Sequence, residues 1–268
     1  MDVIASHQVP ETPQTQAPAY RLAFHDPDFL CRADLRPVRL QLELLKPELL
    51  LQEHGIESTI VLFGGARIPA PGEEPRAKTE TARKNLKANA HYYEEARKFA
   101  QIVSEESLMH DQKEFVVVSG GGPGVMEAAN RGACDAGALS IGLNIVLPHE
   151  QAPNAYVSPE LCFNFHYFAI RKMHFLLRAK ACAVFPGGFG TLDETFEVLT
   201  LIQTERVEPM PILLFNETFW RRIVNFEALA EEGTISPEDL DLFQFVETAE
   251  EGWELIQEFY RAKAEQTS

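Results

Sequence analysis

Two carboxylates, Asp193 and Glu194, follow a glycine-rich turn in the second half of the chain. The turn, residues 185–190, comes after a short apolar run and before an amphipathic segment, which predicts a strand, a turn and the start of a helix. Glycines let backbone N–H groups approach a ligand closely, and the first turn of a helix presents unpaired donors. The spacing therefore predicts an anion site with both carboxylates in the first helical turn.

The same residues also fit a purely structural role. Thr191 and Glu194 stand three positions apart, as in a capping box, where both side chains satisfy backbone N–H groups at a helix start. Neighbouring helical positions point about 100° apart, so the sequence leaves open whether Asp193 or Glu194 faces a ligand. From this turn alone, the capping and ligand-binding interpretations both remain open.

Two more glycine turns follow predicted strands, at residues 64–65 and 120–124. Strands alternate with helical segments at the spacing of β-α-β units, which predicts an α/β, Rossmann-like, doubly wound, mainly parallel sheet with helices on both faces. Ligands of such open sheets bind beyond the carboxyl ends of the strands, near the point where the strand order reverses. We therefore expect the three turns to enclose a phosphorylated small molecule, although a single turn also serves as a tight connection.

The predicted elements divide the chain into residues 1–57, an N-terminal arm and helix, and residues 58–268, a Rossmann-like nucleotide-binding domain. The first 35 residues are rich in Pro, Gln, Thr and Ala, which predicts a flexible or draped arm. The predicted strands are residues 58–63, 115–118, 140–147, 180–185, 210–215 and 242–246. The predicted helices are residues 38–51 with a restart at Pro47, 79–104, 125–134, 167–178, 219–231 and 250–264.

Motif spacing argues against several common cofactor sites. Residues 120–124 do not give G-x-G-x-x-G, because position 125 is Val, and the chain contains no G-x-x-x-x-G-K-[ST] sequence. Lys172 and Lys180 stand in no motif that supports a Schiff base to pyridoxal phosphate. The sequence therefore argues against a dinucleotide fingerprint, a P-loop and a pyridoxal-phosphate decarboxylase.

The composition of the chain argues against several classes of binding partner. The net charge of −16 argues against a nucleic-acid partner or an anionic membrane, since both would be repelled over most of the surface. The four cysteines are far apart and the eight histidines form no metal-binding pattern, so we expect reduced thiols and no metal. The start of the chain has no leader pattern, and no apolar run has membrane-spanning length. We expect a soluble, cytoplasmic protein.

Two motifs, residues 119–127 and 186–194, together with the pair Arg171–Lys172 between them, resemble the LOG (LONELY GUY) family, once described as lysine decarboxylases. The family signature P-G-G-x-G-T-x-x-E is matched at every fixed position, and the resemblance covers roughly residues 58–235. It implies hydrolysis of the N-glycosidic bond of an adenosine or N6-substituted adenosine 5'-monophosphate, giving free base and ribose 5-phosphate. It also implies no cofactor and a homodimer, for which the apolar helix near residues 167–177 is a suitable surface.

Carried over position by position, the resemblance makes Arg171 and Glu194 the catalytic pair. A carboxylate suits the oxocarbenium-like charge of glycosidic cleavage, and a guanidinium can hold a phosphate or steer the carboxylate. Without the resemblance, the Arg171–Lys172 pair would be interpreted as a solvated helix face. The implied substrate-binding positions are Gly120, Gly121, Gly122, Gly124, Lys172, Gly187, Gly188, Gly190, Thr191, Asp193 and Thr200.

The chain departs from short family members in two features. Its second glycine turn, in the motif at residues 119–127, is one residue shorter and ends in Glu127, and its N-terminal arm is longer. Both features resemble a longer bacterial branch whose substrates need not be cytokinin precursors. Glu150, Gln151 and Asn154 either line the base or belong to a capped surface loop. The alternative function is a non-catalytic nucleotide or molybdenum-cofactor-type carrier, which would not need the Arg171 and Glu194 pair.

Overall fold

The computed structural model describes residues 10–148 and 152–267, and within them seven strands form one parallel sheet. The predicted base-lining residues Glu150 and Gln151 lie outside the described residues. The strands are β1 (Thr59–Phe63), β2 (Val116–Ser119), β3 (Ser140–Ile145), β4 (Cys162–Phe165), β5 (Ala179–Val184), β6 (Ile212–Phe215) and β7 (Gln244–Val246). Their order is β4-β3-β2-β1-β5-β6-β7, and every neighbouring pair is parallel.

Eleven α-helices are described, several of them only one or two turns long. They are α1 (Pro13–Gln16), α2 (Pro27–Leu30), α3 (Arg36–Glu53), α4 (Glu80–Ala88), α5 (His91–Met109), α6 (Val125–Asp135), α7 (Phe168–Leu176), α8 (Phe189–Gln203), α9 (Glu217–Ile223), α10 (Phe226–Glu231) and α11 (Ala249–Thr267). Short 3-10 turns occur at Pro18–Tyr20, Ala23–His25, Ala33–Leu35, Pro159–Leu161 and Pro237–Leu242. Among the described residues, no helix combines the length and hydropathy needed to cross a bilayer.

Strand β1 lies at the centre of the sheet and is buried along its whole length. The chain runs outward from β1 through β2 and β3 to β4, then returns to place β5 on the other side of β1. The order reverses between β1 and β5, which makes this the point where ligands of doubly wound sheets bind. The predicted Rossmann-like α/β fold is confirmed.

Apolar helix faces cover both sides of the sheet, so the sheet has two hydrophobic cores. One core contains side chains of α5, α6 and α11, such as Phe99, Val125 and Ile256. The other contains side chains of α3, α7 and α8, such as Leu51 and Phe175. Because both faces are buried, the strands are runs of β-branched and apolar residues rather than alternating ones.

The structure breaks two of the predicted helices in two. The single helix expected over residues 79–104 breaks after Ala88, where the side chain of Asn89 accepts a hydrogen bond from Asn216. The helix expected over 219–231 breaks at Asn225, whose side chain caps α10. Asn favours helix ends because its amide competes for backbone groups.

The N-terminal part of the chain also differs from its prediction. The helix expected to restart at Pro47 is continuous as α3, with Pro47 buried inside it. Residues 10–35 form short helical turns, of which α1 and α2 are the α-helical ones. The division of the chain after residue 57 stays a prediction, although α3 packs directly against α7 of the sheet-covering layer.

Candidate functional site

The third glycine turn along the chain, residues 185–190, leaves the start of α8 without a side-chain cap. The N-cap residue is Gly188, and α8 begins at Phe189. Thr191 is therefore the third helical residue, and the capping-box interpretation is wrong. Asp193 and Glu194 fall in the second turn of α8, not in the first as expected. The backbone N–H groups of the first turn have no helical partner, which is the arrangement that binds anions.

Gly188 and Gly190 keep these N–H groups accessible. A Cβ atom built at either position meets no atom within 4 Å, so both face open space. Gly187, in contrast, lies against the side chain of Thr191, which leaves no room for a Cβ. The turn is therefore tight behind Gly187 and open in front of the helix.

Arg171 and Glu194 come from different helices and meet beside this turn. Nη1 of Arg171 lies 3.2 Å from Oε1 of Glu194, and the two side chains are only 8% and 14% exposed. Arg171 Nε donates to the carbonyl of Leu143 at 2.7 Å, and its guanidinium lies over the ring of Phe175. These contacts fix the orientation of the guanidinium toward Glu194.

The second glycine turn makes room for the guanidinium. A Cβ at Gly120 would lie 2.7 Å from Nη2 of Arg171 and 2.6 Å from Sδ of Met126. A larger residue at this position would therefore force the ends of the Arg171 and Met126 side chains to shift. Arg171 thus joins three elements at the sheet edge: the turn after β2, the end of β3 and helix α8.

Burial controls the protonation of the pair. It raises the pKa of the Glu194 carboxyl to about 7, and the positive charge of Arg171 opposes this rise. Burial also lowers the pKa of Arg171, while Glu194 acts in the opposite direction. A carboxyl with a pKa near neutrality can exchange a proton at physiological pH, as general acids and bases do.

A cavity of about 620 Å³ opens in front of the pair. All three glycine turns contribute to its wall, and so do Arg171 and Glu194. A further set of lining residues, called the apolar wall below, is mainly apolar and includes two amides and a thiol. Its members are Met126, Asn144, Ile145, Leu147, Pro153, Cys162, Phe163, Asn164 and Phe168. Cavities of this size with few polar groups are typical of small-molecule sites.

The predicted site residues differ in their position relative to the cavity. Those that line the cavity are Gly120, Gly122, Arg171, Gly188, Gly190, Thr191 and Glu194. Gly121, Gly124 and Gly187 do not line it but shape the turns, and Gly121 and Gly124 have positive φ angles. Lys172 forms ion pairs with Asp193 and Glu197 on the neighbouring helix face. Thr200 is exposed further along α8 and donates to the carbonyl of Phe196, so the structure does not bring it to the cavity.

A buried polar network holds the second glycine turn in place. Ser119 Oγ accepts from the N–H of Gly121 and donates to Oδ1 of Asn130. Asn154 donates to the carbonyl of Gly122 and to the same oxygen of Asn130. Asn154 therefore fixes the turn from outside, which favours the surface-loop interpretation over base contact. Glu127 accepts a hydrogen bond from Tyr93 and does not line this cavity.

Sequence reasoning did not single out Asn144 and Asn164. They face each other in register on β3 and β4, and both line the cavity. Asn144 also donates to the carbonyl of Phe163 at 3.0 Å. The available signal was a polar residue between apolar neighbours in each segment, Leu-Asn-Ile and Phe-Asn-Phe.

Metal ligation has no support in the part of the chain that the structure describes. Within residues 10–148 and 152–267, no group of three or more His, Cys, Asp or Glu side chains is placed to hold a metal ion. The described cysteines are free, and burial raises the pKa of the Cys162 thiol at the cavity wall. The polar groups of the cavity are instead donors and acceptors suited to an organic ligand.

Comparisons with known proteins agree with the motif. A family model described as "Possible lysine decarboxylase" matches residues 126–256. Cytokinin riboside 5'-monophosphate phosphoribohydrolase LOG3 of Arabidopsis thaliana is 27% identical over 148 residues, which are 54% of this chain and 67% of that protein.

Two solved structures with a similar course of the chain carry the name of molybdenum cofactor proteins. The molybdenum cofactor binding protein from Rippkaea orientalis has a TM-score of 0.48 and 20% identity, and the match covers 76% of this chain and 98% of that chain. The molybdenum cofactor carrier protein of Chlamydomonas reinhardtii has a TM-score of 0.43 and 14% identity, over 76% and 99% of the two chains. The family model, the relative and the complete signature all make this chain similar to the LOG family.

Proposed function

We propose that this protein hydrolyses the N-glycosidic bond of a purine ribonucleoside 5'-monophosphate, with adenine or an N6-modified adenine as the base. The observation that carries the proposal is the buried Arg171 and Glu194 pair at the wall of a cavity that also contains an open helix N-terminus. A simple binding site needs the helix terminus and the cavity but has no need of a carboxyl whose pKa is raised to about 7.

The phosphate would bind at the start of α8. Its first-turn N–H groups have no helical partners, and Gly188 and Gly190 leave the space in front of them open. The positive end of the helix dipole adds to this attraction for an anion. Such a local site is consistent with a chain whose net charge is −16.

The base would lie against the apolar wall. Met126, Leu147 and Phe168 offer flat or flexible apolar surfaces, which suit a purine ring. Asn144 and Asn164 add amide groups that can donate to and accept from ring nitrogens. This wall favours a purine over a ligand that is polar on all sides.

Glu194 would act on the ribose between these two ends. As the bond between C1' and the base nitrogen breaks, its electron pair leaves with the base, and positive charge develops on the sugar. An ionised Glu194 stabilises that charge and accepts a proton from the water whose oxygen bonds to C1'. The departing base takes up a proton from solvent and Glu194 returns its proton to solvent, so that free base and ribose 5-phosphate result and the carboxylate is restored. Arg171 keeps the carboxylate in position.

A second copy of the chain is a further part of the proposal. Apolar side chains stand exposed on α7, directly after it and at the start of α8: Phe168, which also lines the cavity, Met173, Leu177 and Phe189, of which Phe189 is 92% exposed. Exposed apolar patches of this kind are typical of protein interfaces. A homodimer that buries this surface would also shield the cavity from water.

Incubation of the purified chain with AMP, GMP, CMP and N6-isopentenyl AMP tests the proposal. Free base and ribose 5-phosphate are measured by chromatography, and the melting temperature is measured with each nucleotide. Release of both products in equal amounts supports the hydrolase. If a nucleotide raises the melting temperature and none is cleaved, the chain binds without catalysis, and the carrier alternative replaces this proposal.

A further inference from the structure

Helix α3 supplies a cap for α7, the helix that carries Arg171. The two carboxylate oxygens of Glu43 accept hydrogen bonds from the backbone N–H groups of His166 and Tyr167, at 2.9 and 3.1 Å. Tyr167 is the N-cap residue of α7, and its own side chain makes no capping bond. A carboxylate at a helix N-terminus stabilises the helix, and its hydrogen bonds to the backbone N–H groups are directional. The start of α7 is therefore fixed from a segment more than 120 residues earlier in the chain.

A second contact joins the middle of α3 to the last turns of α7. The Nε2–H of His174, whose side chain is buried, donates to the carbonyl of Leu44 at 3.1 Å. Pro47 lacks an N–H group and so leaves the carbonyl of Glu43 without its usual helical donor. That carbonyl is next in the chain to the carbonyl of Leu44, which His174 contacts.

A third contact holds the chain just after α7. Arg178 donates from Nη1 and Nη2 to the two carboxylate oxygens of Glu48, both at 2.7 Å. Its Nε donates to the carbonyl of Ile56 at 3.1 Å. The Arg178 side chain is only 12% exposed, so this bidentate pair is partly desolvated and geometrically specific.

We propose that α3 positions Arg171 for catalysis, and that Glu43 and Glu48 are the positioning residues. Their contacts lie before and after Arg171, so they fix both the start and the end of α7. Neither glutamate lines the substrate cavity, so each acts through α7 and not on the substrate. This inference rests on the proposed catalytic role of Arg171.

The geometry explains why such support is needed. Arg171 must reach Glu194 while its guanidinium lies against Gly120, where a Cβ would be only 2.7 Å from Nη2. A displacement of α7 by about 1 Å would misalign that contact, and a misplacement of this size can cost about a hundredfold in rate. The apolar contacts of α3, which include Leu51, hold the helix on the domain. Because such contacts are not directional, they do little to fix the position of α7.

The test compares Glu43→Ala and Glu48→Ala with Glu53→Ala, which removes an exposed carboxylate from the same helix. For each variant, kcat and KM are measured on the monophosphate that the wild type cleaves best. Hydrogen exchange of residues 166–178 is followed by mass spectrometry, since it reports the order of α7 without any catalysis. Glu43→Gln, which keeps one acceptor oxygen, is included in case the alanine variants do not fold.

We expect Glu43→Ala and Glu48→Ala to lower kcat about tenfold or more with little change in KM, and to speed exchange across residues 166–178. Glu43→Gln should fall between them and the wild type, and Glu53→Ala should match the wild type. Folded variants with wild-type kcat and wild-type exchange would overturn the inference. If the wild type itself releases no base, the proposed function fails, and exchange alone then decides whether α3 holds α7.

Discussion

Gly120 lies so close to Arg171 that an added Cβ would stand only 2.7 Å from Nη2 of the arginine, and the guanidinium would have to move. The turn after β2 therefore forms one side of a slot that holds the guanidinium against Glu194, 3.2 Å away. The buried side chain of Arg171 thereby connects the glycine motif at residues 119–127 with the signature at residues 186–194. The function proposed for this chain depends on that connection.

Gly120→Ala should displace Arg171 and lower kcat by about tenfold to a hundredfold, because the new methyl group would stand 2.7 Å from Nη2 and push the guanidinium away from its present position. Gly188→Ala is the contrasting variant, since its methyl group meets no protein atom and intrudes only on the proposed phosphate space. We expect it to raise KM instead. Steady-state kinetics on the preferred monophosphate separate the two effects, and equal effects on kcat and KM in both variants would contradict this description.

The rate of base release should rise with pH through about 7. Burial raises the pKa of Glu194 to about 7, and the proposed mechanism uses its ionised form. A profile of kcat/KM between pH 5 and 9 measures the pKa in the free protein. A rate that is flat across this range, or that falls as pH rises through 7, would show that ionised Glu194 is not the active form.

Glu194 should also make stability depend on pH. Its pKa is raised in the fold to about 7 from an ordinary value of 4.5, so the folded chain binds more protons than the unfolded chain between these values. The stability that it contributes is fully present below pH 4.5 and is lost as pH rises through 7. Glu194→Gln removes this dependence.

The melting temperature of Glu194→Gln relative to wild type should therefore be higher at pH 8 than at pH 5. Thermal unfolding of both proteins at the two pH values measures the difference, and other titrating groups cancel because the two chains share them. An equal difference at both pH values would show that the fold does not raise the pKa of Glu194.

Met173→Glu should disrupt the proposed homodimer. Met173 is 47% exposed on α7, among the exposed apolar side chains of α7 and α8, and a charge there would have to be buried at the interface. Leu108→Glu, on α5 and 40% exposed, is the matched control. Sedimentation equilibrium should give the mass of one chain for the first variant and of two for the control. A wild type that sediments as one chain would refute the homodimer.

The sequence predicted the sheet and the meeting of its glycine turns well, because buried parallel strands are recognisable β-branched runs and each turn directly follows one. It did not predict β4, since four residues that include Asn164 give too short a pattern. The capping box failed because Gly188, and not Thr191, ends the turn, and a glycine N-cap leaves no side-chain signal. Such details depend on backbone geometry that residue types alone do not fix.

The contacts by which α3 supports α7 could not be predicted from the sequence, for a different reason. Glu43 and Glu48 are separated from their partners by more than 120 residues. Both glutamates look like ordinary polar positions on an amphipathic helix, and only the fold brings them to His166, Tyr167 and Arg178. Arg171 itself looked like half of a solvated basic pair, yet the structure buries it and leaves Lys172 in ion pairs beside it.

AMP turnover in wild type, Glu194→Gln and Glu254→Gln tests most directly whether the protein hydrolyses the nucleotide with Glu194. Glu254, which is exposed on α11, serves as the control position. Free adenine and ribose 5-phosphate are quantified together while thermal unfolding confirms that all three chains are folded. We predict equal amounts of both products from the wild type and the control, and a loss of about a hundredfold or more in Glu194→Gln. Undiminished turnover in Glu194→Gln, or no turnover by a wild type that AMP stabilises, would contradict the account.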